Sequence, residues 1–160
     1  MRSEEKAGKL AGNIPVMADW GISFAYSQAI PALEQGFYPN SISTDMNKGA
    51  INGAMKDLLT VMSRFLAMGM DLPAVVKATT LNPARGIKRE DLGTLSVGSI
   101  ADLSVFNMRE GKFGFFDYTG YKINTSKKLE CELTVRAGKI VYNLNGISDL
   151  VTLGGRGQAH

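Results

Sequence analysis

Apolar positions in the first half of the chain change spacing several times, and the changes mark elements. Ile14, Val16, Met17 and Ala18 form a short run that ends at Asp19 and reads as a buried strand, although Pro15 weakens it and Trp20-Gly21 breaks it. From Ser23 onward, Tyr26, Ala29, Ile30, Leu33 and Phe37 recur at helical spacing, with Gly36 as the stop. Pro31 falls inside that pattern, so the helix is expected to kink or to start late. Tyr38-Pro39-Asn40 is a turn, and Ser41–Asp45 is the next strand. Strand, helix and strand at this spacing predict a βαβ unit with parallel strands. A loop over 46–53 precedes a second helix, whose stripe is Met55, Leu58, Leu59, Met62, Phe65 and Leu66 and whose stop is Gly69. Asp71 caps a third helix carrying Leu72, Val75, Val76 and Thr79, which is expected to run to about Asn82 because Pro83 disfavours helical geometry before it. Ala84–Ile87 adds at most one short turn.

After Lys88 the period becomes alternating. Ala101–Phe106 and Lys112–Asp117 read as two strands, with a turn at Tyr118-Thr119-Gly120. Leu129–Val135 and Lys139–Tyr142 are predicted to pair as a hairpin across Arg136-Ala137-Gly138. Gly-rich 151–160 reads as a disordered tail.

Composition narrows the class. A chain of 160 residues can bury a core but is too short for a complete (β/α)8 barrel, which needs about 250. Hydrophobic content of 44% and charged content of 21% are those of an ordinary soluble domain. The net charge of +3 is scattered apart from Lys127-Lys128, so no nucleic-acid partner is expected. No run approaches the roughly 18 apolar residues of a membrane span, and the polar opening is not a secretory signal; a cytoplasmic location is expected. The lone Cys131 excludes an intrachain disulfide and any multi-cysteine metal site, and reads as a small packed residue.

The candidate chemistry centres on Ser41-Ile42-Ser43-Thr44-Asp45-Met46-Asn47. In a parallel barrel, a carboxylate at the C-terminal end of a strand points into the active-site mouth. The alternative is that Asp45 caps the loop or helix that follows. Two further words accompany it: Asn82-Pro83-Ala84-Arg85, and Gly93-Thr94-Leu95-Ser96-Val97-Gly98-Ser99-Ile100-Ala101-Asp102-Leu103. Taken together, from about Ser23 to Ser148, the chain resembles the C-terminal third of a metal-dependent amidohydrolase of the dihydroorotase-like/deacetylase group.

The resemblance implies an α/β fold: the last two strands of a TIM-type barrel with their helices over 1–87, a small β-sandwich unit over 88–148, and a tail over 149–160. It implies that Asp45 is both a metal ligand and the group that takes a proton from metal-activated water and hands it to the leaving amine. The substrate would be a small amide or cyclic amide, and the metal of the complete enzyme a divalent ion, zinc by expectation. The sequence departs from the family pattern in its histidines. The family's His-x-His pair, bridging lysine and further histidines are not found here, and the one histidine, His160, is terminal. Asn47 stands where relatives often carry histidine, and Asp19-Trp20-Gly21 stands where they often carry Gly-His-Gly. Asn47 and Asp19 are therefore candidate substrate-facing residues, Asp19 with the alternative role of a helix cap. Gly93, Gly98 and Asp102 are read as turn residues. The chain alone is expected to hold no metal and to be inactive, and open strand edges favour self-association or a complementary N-terminal chain. The rival readings are one subunit of a split hydrolase, and a binding or assembly domain that kept the fold without the metal.

Overall fold

Two short strands run side by side in parallel: β1 (Met17–Asp19) and β2 (Ser41–Ser43), with Met17 opposite Ser41, Ala18 opposite Ile42 and Asp19 opposite Ser43. The computed structural model describes residues 17–19, 24–46, 48 and 56–148. Parallel strands cannot be joined by a tight turn, and the crossover here is helix α1 (Tyr26–Glu34). The βαβ unit expected from the spacing is therefore present. Pro31 lies within α1 and neither delays nor ends it. Gly36, at φ +83°, does end it, so Phe37 falls beyond the helix and is half exposed instead of extending the apolar stripe.

Helix α2 (Leu58–Ala67) follows β2, then α3 (Leu72–Thr79). Each carries its own start signal. Asp57 accepts from the Thr60 amide at 2.6 Å, and Asp71 accepts from the Ala74 amide at 2.6 Å. Both are side-chain caps of the first turn. Helix α3 stops earlier than expected. Thr80, at φ −128° and ψ −84°, breaks it, and α4 (Leu81–Gly86) begins at once. Pro83 thus lies in the first turn of α4, where a missing amide hydrogen leaves no bond unmade.

The remaining strands form one antiparallel sheet in the order β3 (Leu103–Phe116), β4 (Lys122–Arg136), β5 (Lys139–Asn143). The two short strands expected over 101–117 are in fact one, interrupted by irregularities at Val105/Phe106 and Glu110/Phe113. Pairing along a continuous β4 carries the chain through Glu110-Gly111, which by itself resembles a turn. The β4–β5 hairpin forms at the expected place, with Arg136 opposite Lys139. Its two connecting residues, Ala137 and Gly138, both have positive φ (48° and 75°), the geometry whose twist matches that of paired strands. The Asp102 carboxylate accepts from the Ala137 amide at 2.6 Å, so its turn role extends to a hairpin 35 residues away. The described residues contain this single antiparallel layer and no second layer packed against it as in a sandwich.

One core ties the parts together. Tyr26 and Leu33 of α1, Ile42 of β2, Val61, Met62 and Phe65 of α2, Val75 and Ala78 of α3, and Leu129 of β4 pack in a single cluster. Ser63 on α2 links helix and sheet directly: its hydroxyl donates to the Leu59 carbonyl at 2.6 Å and accepts from the Leu129 amide at 2.8 Å. Among the described residues no helix is long and apolar enough to cross a membrane.

Candidate active site

Because β1 and β2 are parallel, their C-terminal ends share one rim. Asp45 lies there, two residues past the end of β2, with a half-buried side chain and a backbone φ of +45°. Few side chains other than glycine occupy that left-handed region, and Asp is among those that tolerate it. Such conformations gather where a side chain must be aimed. Asp19 ends β1 at the same rim, opposite Ser43; its side chain lies outside the described residues, as do Asn47 and His160.

A zinc site with catalytic function typically takes about three protein ligands. Among the described residues no group of three or more His, Cys, Asp or Glu side chains is close enough to hold a metal. Asp45 can contribute one oxygen donor, and that is not a zinc site.

A second polar centre lies at the junction of sheet and helices. The buried Asp117, at the tip of β3–β4, accepts from the Tyr26 amide at 2.9 Å through Oδ2. Its Oδ1 accepts from the Thr119 amide (2.9 Å), the Thr119 hydroxyl (2.6 Å) and the Tyr121 amide (3.0 Å). Burial pushes this carboxyl up, but the bonds from Thr119, Tyr26 and Tyr121 outweigh it and hold the group below the usual carboxylate range. Arg64 of α2 is fully buried beside it, 5.7 Å from the Phe115 ring centroid. Burial pulls the Arg64 guanidinium down, against the opposing pull of Tyr26 and Asp117. Burial pushes the Tyr26 hydroxyl well up, and the Arg64 charge partly offsets that. The rings of Tyr26 and Tyr121 lie 6.0 Å apart, and Phe24 meets Tyr26 and Phe65 edge-on.

Sequence reasoning located the turn after Asp117 but missed the contact Asp117 makes, and it missed Arg64 altogether. It also missed Glu132, a buried acid whose two oxygens accept from Asn107 and Asn145, each at 2.7 Å. An aspartate before a Thr-Gly turn is a local signal, whereas a buried arginine on the flank of an apolar stripe leaves none. Cys131 is part-buried, its thiol 3.5 Å from the Thr134 hydroxyl. A largely apolar groove of about 480 Å³ between α2, α3 and β3 is lined by Met62, Val76, Leu95 and Phe106, and Asp45 is not part of it.

Comparison with known proteins agrees with this arrangement. The model of the Amidohydrolase family matches residues 26–141. A deacetylase of Brucella anthropi is 38% identical over 100 residues, which is 62% of this chain and 25% of the deacetylase. The crystal structure of an adenine deaminase superposes with a TM-score of 0.80 at 27% identity, covering 86% of this chain and 38% of the other. That of a dihydroorotase superposes with a TM-score of 0.76 at 30% identity, over the same 86% and 38%. The chain thus spans about a quarter of the deacetylase it matches and well under half of either solved structure. Parallel strands joined by a helix, the carboxylate after β2 and a family match across most of the residues lead to one conclusion: this chain belongs to the amidohydrolase family.

Proposed function

We propose that the chain forms the last part of the barrel wall and the adjoining sheet of a hydrolase that cleaves C–N bonds in a small amide or cyclic amide, with Asp45 as its proton-carrying group. The observation that carries this reading is the position of Asp45: directly after a parallel strand, at the rim, in a left-handed backbone conformation, and inside the segment matched by the family. A carboxylate so placed accepts the proton of an attacking water and passes it to the departing nitrogen. The deacetylase, adenine deaminase and dihydroorotase are the relatives from which the substrate class is drawn. Asn47 and Asp19 are assigned to the substrate side of the same rim.

A divalent metal, zinc by expectation, is part of the proposal for the complete site. Its other ligands must come from polypeptide beyond the described residues, either continuous with this chain or supplied by a complementary one. The three-stranded sheet is proposed as one layer of a small β-sandwich completed in the same way. The division near residue 88 then separates barrel wall from sheet, although both share the core that contains Leu129.

The test uses the chain joined to, or mixed with, the polypeptide that completes the barrel. Asp45→Ala should lower turnover about 10²–10⁴-fold, the usual worth of a positioned proton carrier. Asp45→Gly should lose as much activity while keeping or slightly raising the unfolding midpoint, because glycine occupies φ +45° without strain. Turnover unchanged in both variants removes Asp45 from the mechanism.

A further inference from the structure

Helices α2 and α3 carry their own caps, but α1 does not. The residue at its N-cap is Ala25, in extended geometry and without a side-chain hydrogen bond to the first turn. Alanine is a poor N-cap, and the first-turn amides of a buried helix end need acceptors. The acceptor is Asp117, 91 residues away in sequence, whose Oδ2 takes the Tyr26 amide at 2.9 Å. The same carboxylate closes its own turn through Thr119 and Tyr121, so one group orders the hairpin tip and the helix start together. The packing around it is equally shared: Tyr121 lies against Tyr26, and Phe115 lies against Arg64 of α2.

The location gives this contact a consequence. Helix α1 is the crossover between two parallel strands, so the chain enters it from the C-terminal end of β1, the end that shares its rim with Asp45. We infer that Asp117 is a positioning residue that caps α1 from the antiparallel sheet and thereby holds the rim end of the helix in place. That the rim is catalytic rests on the reading of Asp45 given above; the capping itself does not.

Amide hydrogen exchange on the folded chain tests this. Asp117→Ala should raise exchange in peptides covering 24–34 about tenfold while leaving those from α3 unchanged, since a lost bond to a charged acceptor is local when the core persists. Asp117→Asn, which keeps one carbonyl acceptor, should give a smaller rise and serves if the alanine variant does not fold. A further variant adds Ala25→Ser to Asp117→Ala. A serine at 25 accepts from the Ser27 or Gln28 amide and not from that of Tyr26, so it should recover part of the protection of 24–34 without restoring the 117–121 turn. Unchanged exchange in α1 on loss of Asp117, or an equal loosening of α1 and α3, would each overturn the inference. None of these readouts depends on Asp45: Asp45→Ala should leave the exchange of α1 as it is, so failure of the catalytic reading is seen separately, in turnover.

Discussion

At Asp45 two demands meet in one residue: a carboxylate at the rim and a backbone at φ +45°. Asp and Asn reach that conformation at small cost, whereas most side chains do not. Gly93 is constrained in a different way. Its φ is +67°, and a Cβ there would sit 2.6 Å from the carbonyl oxygen of Thr80, a backbone atom that cannot rotate away. Gly93→Ala should therefore cost roughly 1–3 kcal/mol, read as a lower urea midpoint at unchanged slope. Asp117 sets an acid limit. Its carboxyl is held below the usual range in the folded chain, so its contribution is complete above the unfolded value of about 3.9 and is lost as pH falls through the folded value. Asp117→Asn should flatten the stability profile below about pH 4 relative to the parent, whereas a profile of unchanged steepness would place the acid sensitivity elsewhere.

Elements divide by whether their signals are local. Helices α2 and α3 were legible because their apolar residues repeat at helical spacing, and α3 also because Asp71 stands beside the turn it caps; the cap of α2, Asp57, went unread. The β4–β5 hairpin was legible for the same reason: Arg136-Ala137-Gly138 separates two alternating runs. The extent of β3 was not, because Arg109-Glu110-Gly111-Lys112 is polar and contains glycine, and the strand continues across Gly111 and Lys112 through the pairing of Glu110 and Phe113 with β4 on either side. The end of α3 was misplaced for a related reason. Pro83 was read as the stop of one helix when it lies in the first turn of the next, and Thr80 makes the break. The hairpin offers a stabilising change. Ala137 holds φ +48° with a Cβ, so Ala137→Asn, which creates the favoured Asn-Gly pair, should raise stability by about 0.5 kcal/mol in thermal or urea unfolding. The Asp102 bond to the amide of residue 137 is retained in that variant.

For the whole molecule, the parallel pair β1–β2 consists of two strands of three residues each, and such a pair has little stability without neighbours. Leu95 and Val97 are almost fully exposed, and Val141 and Tyr142 lie on β5, an edge strand of the other sheet. Unpaired edges and exposed apolar side chains favour association. The isolated chain is expected to sediment as oligomers whose weight rises with concentration, and a complementary polypeptide should shift it to a single defined species. A monomer at every concentration would show that these surfaces need no cover.

The amino-acid sequence alone determined what is encoded by neighbours: the βαβ order, the helices and the Asp71 cap, the hairpin, and the wording around Asp45 from which the family could be read. Only the tertiary structure decided which distant groups meet. Asp117 caps a helix 91 residues away, Arg64 is buried against Phe115, and Leu129 joins the core of the helices. The physical reason is that periodicity and capping act over one or two turns of chain and leave a regular trace. A hydrogen bond or ring contact between remote segments is set by how whole elements pack, and no spacing in the sequence records it.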